Sequence, residues 1–291
     1  MTRVVQSVAE LREVIAGLPR PLHLVPTMGA LHAGHAALLD AARADGVAVV
    51  MSLFVNPLQF NDAADLDAYP RAFERDVGVA ESHGVDVVWA PTDSEMYPGG
   101  RPLTTVRVAR VGDTLEGEHR PGHFDGVATV VAKLFHQVAP DAAWFGRKDA
   151  QQLAVIRGMT GDLDLPIDVR GHPTVREPDG LALSSRNVHL DREQRSDARR
   201  LSTGLFAAAD LAEGGQRDAR PLEEACGDGL DYAALVDAAS FDRLDRLAGT
   251  AVLAVAARVG AVRLIDNVFF EISPQGTCTT DRGLTMEREV A

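Results

Sequence analysis

Through roughly residue 170, short apolar, β-branched runs alternate with longer amphipathic stretches, the pattern of βα units in a parallel sheet. LHLVP (22–26), VAVVMSLFV (47–55) and VDVVWA (85–90) read as buried strands. Between them, HAALLDAARADG and YPRAFERDVGVAESHG repeat their apolar positions at helical spacing and end at Gly46 and Gly84, residues suited to left-handed helix stops. The pattern predicts another helix over DGVATVVAKLFHQV, a short strand near AAWF, and a helix from about Asp149. The architecture it implies is a doubly wound, Rossmann-like α/β domain over residues 1–174, with ligands outside the carboxyl ends of its strands.

After VRGHPTVREPDG the texture changes. A helix is predicted from Asp191, where Gln194 completes a D-x-x-Q capping arrangement, and it runs into the Ala-rich LFAAADLAEG. DYAALVDA, AVLAVAARV and VRLIDNVFFEI then read as strands, so residues 175–291 are expected to form a smaller α+β domain. Its polar ending, SPQGTCTTDRGLTMEREVA, reads as disordered. No internal repeat or low-complexity tract interrupts this division.

At 291 residues with 46% apolar content, the chain can build its core without metal or disulfide staples. Its two cysteines, Cys226 and Cys278, are far apart and read as free thiols. Glu10, Arg12 and Glu13 interrupt the region where a signal peptide needs an unbroken apolar run, and no later run reaches membrane-spanning length, so a cytoplasmic location is expected. A formal net charge of −13 disfavours a nucleic-acid or anionic-membrane surface. An anionic small substrate then needs a locally basic pocket. Only two lysines occur, Lys133 and Lys148, which singles out two places where a compact ammonium is retained.

Neither G-x-G-x-x-G nor G-x-x-x-x-G-K-[ST] occurs, so the two commonest nucleotide cradles are missing. The first strand instead runs into PTMGALHAGHAALL, where His32 and His35 flank Gly34 at the start of a helix. Backbone N–H groups there face the carboxyl edge of the sheet, Gly34 permits close approach, and two imidazoles three residues apart share one face. This is a site for a triphosphate, with both rings donating as charge develops on phosphoryl oxygens. Two unrelated helix histidines, or part of a metal site, are the alternatives; no HExxH motif, nearby Cys or third ligand at useful spacing accompanies a zinc reading.

VPTMGALHAGHAALL (25–39) resembles the first motif of pantothenate synthetases, within the nucleotidyltransferase superfamily that includes class I aminoacyl-tRNA synthetases. SLFVNPLQF (52–60), DLDAYPR (65–71), LEGEHRPGHFDGV (115–127), FGRKDAQQL (145–153), PTVREPDGLALSSRN (173–187) and RLIDN (263–267) are similar to further family segments in the same order. The resemblance covers most of the chain. It implies ATP-dependent condensation of pantoate with β-alanine through a pantoyl-adenylate, with ATP as substrate, Mg²⁺ carried on its phosphates and no protein-held metal, in a homodimer.

The same resemblance implies the roles of individual residues. His32, His35, Lys148, Ser185 and Arg186 are the catalytic set. ATP meets Met28, His35, Gly146, Lys148, Asp149, Val175, Ser184, Ser185 and Arg186. Pantoate meets Gln59, Gln152, Met28 and Phe60; the glutamines can donate and accept without adding charge, and Met28 and Phe60 wall its gem-dimethyl carbon. Glu116 and Arg120 match positions around the site, as structural or gating contacts. Ser184, Ser185 and Arg186 occupy the place of the superfamily's KMSKS-like loop, a mobile element that closes over ATP.

Read without the family, Lys148 and Asp149 are an exposed ion pair and helix cap, SSRN is a turn, Met28 and Phe60 are core, and Lys133 is a structural or surface lysine. Two positions depart from the family pattern: Arg147 and Ala150 stand where many members carry Glu and Tyr. Rival functions are another nucleotidyltransferase without the paired-glutamine pocket, a non-catalytic ATP-binding regulator, and a metal hydrolase.

Overall fold

The computed structural model describes residues 1–44 and 46–286 and divides into two compact units. One comprises Met1–Phe145 and Val155–His172, the other Gly146–Ala154 and Pro173–Ala291.

The first unit is organised by a six-stranded parallel sheet in the order β1-β4-β3-β2-β5-β6. Its strands are β1 (Arg3–Val5), β2 (Leu22–Thr27), β3 (Ala48–Leu53), β4 (Val87–Trp89), β5 (Ala142–Gly146) and β6 (Asp168–His172). The helices are α1 (Val8–Ala16), α2 (Ala33–Arg43), α3 (Ala63–Ala68), α4 (Phe73–Ser82), α5 (Asp93–Met96), α6 (Glu116–His119), α7 (His123–Val138) and α8 (Ala150–Asp162), the last beginning in the second unit's segment. β2 and β3 carry almost unbroken buried side chains because helices cover a parallel sheet on both faces. Leu38, Leu39 and Ala42 of α2 and Ala80 of α4 pack with Val25, Val49, Met51 and Val88.

The strands expected at 22–26, 47–55 and 85–90 form, as do the helices between them, which stop at Gly46 and Gly84 with φ of +66° and +70°. Two edge strands were absent from the sequence reading. β1 is three residues long, and β6 (DVRGH) lies inside the stretch whose glycine and prolines suggested a boundary. From β2 the chain adds β3 and then β4 on one side, and later β5 and β6 on the other. The strand order thus reverses direction between β2 and β5, and in sheets of this kind the carboxyl edge at such a reversal is the general place for a ligand.

The second unit contains the antiparallel sheet β11-β10-β9-β8, with β8 (Tyr232–Asp237), β9 (Thr250–Val259), β10 (Val262–Ile272) and β11 (Cys278–Asp281), and a parallel pair of β7 (Val175–Arg176) with β12 (Leu284–Thr285). Helix α9 (Arg192–Glu213) lays Leu201, Leu205, Ala208 and Ala212 in one core with Leu253, Val255, Leu264, Val268 and Phe270, and α10 (Ala219–Glu224) adds Leu222. The predicted Asp191/Gln194 capping box is present. Both cysteines are free, and burial pushes the Cys226 thiol up to about 12.

The polar ending corrects the expectation of disorder for its described part. Cys278–Asp281 pairs with β10, and Leu284–Thr285 pairs with β7. Polarity misled because these short strands lie at sheet edges, where exposed faces are tolerated. Residues 287–291 lie outside the described part.

Candidate active site

The first unit places the histidine turn at the carboxyl end of β2. After Met28 the backbone enters the left-handed region twice in succession, at Gly29 (φ +82°) and Ala30 (φ +50°). A side chain at Gly29 has no room: a Cβ there would stand 2.9 Å from an Asp76 carboxylate oxygen and 3.0 Å from Leu53. Asp76, on α4, also holds the turn. Only 1% exposed, it accepts from the Ala30 N–H at 2.9 Å and the Leu31 N–H at 2.8 Å. Two charge-assisted bonds offset the strain of a non-glycine residue in this conformation.

The next residue, His32, is the N-cap of α2 and forms a capping box with His35. His32 Nδ1 accepts from the Gly34 N–H at 3.1 Å, and His35 Nδ1 accepts from the His32 N–H at 3.2 Å; the ring centroids are 4.1 Å apart. Imidazole nitrogens thus do what Ser and Glu do in the ordinary box. An Nδ1 that accepts leaves the proton of the neutral ring on Nε2, so each ring offers an Nε2–H. This refines the sequence reading. The Gly34 N–H is committed to His32, so the donors left to be assigned at this helix start are those of the imidazoles.

Gln59 ends a 3₁₀ turn, Pro57–Gln59, whose cap is Asn56. Gly126 lets α7 run directly against this turn; a Cβ there would come within 2.3 Å of Leu58 O. His123 Nδ1 donates to Gln59 O at 2.7 Å, and Arg120 donates to His123 Nε2 at 3.1 Å. The buried Gln59 side chain takes a bond from Asn56 Nδ2 to its Oε1 (3.1 Å) and directs Nε2 at Met28 Sδ (2.8 Å). A thioether is a weak acceptor, so this contact holds the amide only weakly. Met28 and Gln59 are therefore brought together. Phe60 packs edge-on against Tyr69, with ring centroids 5.7 Å apart. Glu116 is buried at the first residue of α6.

The second unit holds the remaining predicted residues. Gly146 caps the 3₁₀ turn Arg147–Asp149 that enters α8. Lys148 Nζ stands 3.9 Å from Asp149, too far for a hydrogen bond, so the ion-pair reading accounts for little of this residue. Asn267 of the RLIDN segment fixes the turn from β10: its buried Nδ2 donates to Arg147 O at 3.0 Å and Lys148 O at 2.7 Å. Arg147 pairs with Asp281 at 2.7 Å and lies over the Phe269 ring, so this departure from the family pattern has a local partner. The other, Ala150, is a buried residue at the start of α8. Gln152 is half-buried on α8.

Val175 pairs with Leu284, and its carbonyl accepts from the Leu183 N–H. Ser184 caps the 3₁₀ turn Ser185–His189 by accepting from the Arg186 N–H at 3.2 Å. Asn187 ties that turn to Glu177 and Ala182 O, and Arg195 bridges Glu177 and Asp179. Beneath it, Arg176 is fully buried and pairs bidentately with Asp266 at 2.7 and 3.0 Å.

Sequence reasoning gave no part to Asp76, His123, Arg176 or Asn267. Asp76 sits in ERD inside a predicted helix, where no neighbouring residue marks it for burial. Asn267 was within reach, since RLIDN matched the family pattern without a role for its amide. Among the described residues no group of three or more His, Cys, Asp or Glu side chains gathers into a metal site, and no helix is long and apolar enough to cross a membrane.

The profile of the pantoate-beta-alanine ligase family matches residues 3–269. A pantothenate synthetase of Rhizorhabdus wittichii is 51% identical over 94% of this chain and 100% of its own length, and one of Acidothermus cellulolyticus is 49% identical over 91% of this chain and 90% of its own. Among solved structures, the Thermus thermophilus pantothenate synthetase is 46% identical, with a TM-score of 0.85 over 91% of this chain and 98% of that one. A Francisella tularensis pantoate-beta-alanine ligase, complexed with beta-gamma ATP and beta-alanine, is 31% identical, with a TM-score of 0.74 over 92% of this chain and 97% of that one.

Proposed function

The chain belongs to the pantoate–beta-alanine ligase family, and from that premise we propose how its residues carry the reaction. The enzyme condenses pantoate with β-alanine using ATP, and yields pantothenate, AMP and pyrophosphate through a pantoyl-adenylate. A pantoate carboxylate oxygen attacks the α-phosphorus, and the bond to the α,β-bridging oxygen breaks as pyrophosphate leaves. The β-alanine amine then attacks the acyl carbon, the bond to the AMP oxygen breaks, and the amine gives up a proton. Neither step needs a protein nucleophile, so catalysis is alignment and neutralisation of charge.

The observation that carries this division of labour is the imidazole capping box. His32 and His35 present Nε2–H donors at the carboxyl end of β2, suited to phosphoryl oxygens on which charge develops. Lys148, Ser184, Ser185 and Arg186 are assigned to the phosphates, and Gly146, Asp149 and Val175 to the remainder of ATP. Gln59 and Gln152 take the hydroxyls and carboxylate of pantoate, with Met28 and Phe60 against its methyl groups. Mg²⁺ fits as an ion held by the triphosphate, a mode that keeps several waters and asks for no protein cage, and it would neutralise charge there. A cytoplasmic homodimer completes the proposal, supported by family membership, and light scattering of the purified protein checks the assembly.

Purified protein is to be combined with ATP, Mg²⁺, pantoate and β-alanine, and AMP measured. AMP formation is expected to require both substrates, while exchange of pyrophosphate into ATP requires pantoate alone. AMP formed without either substrate, or exchange indifferent to pantoate, overturns the reading.

A further inference from the structure

We propose that Tyr97 is a positioning residue for pantoate selection: through Asn56 it fixes which end of the Gln59 amide meets the substrate. A carboxamide is nearly symmetric in shape but opposite in chemistry at its two ends, so a site built on one must specify its orientation. Asn56 is 1% exposed, and both ends of its amide are committed. Oδ1 accepts from the Tyr97 hydroxyl at 2.8 Å and the Leu58 N–H at 3.3 Å; Nδ2 donates to Gly126 O and Gln59 Oε1, each at 3.1 Å. Turning this amide over would set its NH₂ against an N–H and its oxygen against a carbonyl. The Tyr97 bond is the shortest of the four.

Tyr97 is itself held. It is 6% exposed, its ring meets Phe54 edge-on at 6.1 Å, and Lys133 Nζ lies 5.7 Å from its centroid. One of the chain's two lysines is thereby placed on the ring face. Burial, reinforced by Asp93, pushes the phenol well above its ordinary range and keeps it an O–H donor. Lys133 stands on α7, the helix whose Gly126 carbonyl takes the other Asn56 bond and whose His123 holds the Gln59 carbonyl. One helix thus backs the ring, the relay amide and the turn.

The consequence is chemical. With Oε1 turned toward Asn56, Gln59 presents its NH₂ as a donor, now resting on Met28 Sδ. It selects a substrate oxygen that accepts and discriminates against a pantoate lacking that oxygen. This inference rests on the assignment of Gln59 to pantoate.

The test is steady-state pyrophosphate exchange by the full-length enzyme, with pantoate and with analogues lacking either hydroxyl, for wild type, Tyr97→Phe, Asn56→Asp and Gln59→Ala. Tyr97→Phe keeps the ring contacts and removes one donor, so the pantoate KM is expected to rise about five- to tenfold with the ATP KM unchanged. Preference for pantoate over the discriminated analogue should shrink by the same factor. Asn56→Asp keeps the acceptor for Tyr97 but turns an acceptor toward Gln59 Oε1, and should erode the preference likewise. A Tyr97→Phe enzyme with unchanged pantoate KM and preference overturns the inference, as does a parallel rise in both KM values. Should Gln59→Ala itself leave the pantoate KM unchanged, the assignment of Gln59 fails; should Gln59→Ala raise it while Tyr97→Phe and Asn56→Asp do not, the relay alone fails.

Discussion

The histidine turn of the first unit and the Ser184–Arg186 loop of the second are both assigned to phosphate, yet they are built on different principles. The turn is locked from beneath: a buried carboxylate takes two backbone N–H groups, the glycine has no space for a side chain, and the imidazoles cap their own helix. The loop is held by a serine cap, an asparagine and surface ion pairs, with Ser184, Ser185 and Arg186 half-buried. The locked element delivers its donors with little reorganisation, which suits stabilisation of a transition state. The lightly held one can adjust to a ligand but spends ordering entropy on binding. Altering the first should therefore reduce turnover and stability together, whereas altering the second should weaken ATP binding and leave the fold intact.

The largest effect separates chemistry from scaffold. His32→Ala and Lys148→Ala are each expected to lower pantoate-dependent pyrophosphate exchange by about 10²- to 10³-fold, the scale of losing one preorganised donor. Normal exchange in either folded variant removes that residue from the mechanism. Next, Asp76→Ala orphans one buried and one part-buried N–H group and should cost about 3 kcal/mol in urea unfolding, along with most of the exchange activity. An Asp76→Ala protein as stable as wild type would break the contrast drawn above.

A smaller change is expected where the second unit fixes its lysine turn. Asn267→Ala removes both bonds to the Arg147 and Lys148 carbonyls and should lower exchange at subsaturating ATP about tenfold. Asn267→Asp should be worse, because a carboxylate oxygen then faces a carbonyl. The smallest effect belongs to Ser184→Ala, where loss of a cap is worth about 1 kcal/mol. It should appear as a severalfold rise in the ATP KM with at most a small shift of the urea midpoint; a loss of stability as large as that of Asp76→Ala would mean the loop is as integral as the turn.

Much of this was legible in the chain. Continuous apolar runs identified β2 and β3, helical spacing and Gly46 identified α2, and Asp191 with Gln194 announced α9. These features are local, so a few residues decide them. The edge strands β1, β6 and β11 were missed because each is short, and an edge strand draws part of its stability from a neighbour distant in sequence. At the site, His32, His35, Gln59 and Lys148 stood out by motif, but their supports did not. Asp76 lies 45 residues from Leu31, Tyr97 lies 41 from Asn56, and Asn267 lies 119 from Lys148.

Periodicity and motif spacing are properties of neighbouring residues, so the chain alone sets the alternation of strands and helices, the family motifs and hence the reaction. Only folding sets which nitrogen of each imidazole accepts from the backbone, which end of the Gln59 amide turns to Asn56, and why Asp76 is buried. Those outcomes depend on hydrogen bonds between segments brought together by folding, and in a dry interior each bond leaves its partner only one orientation.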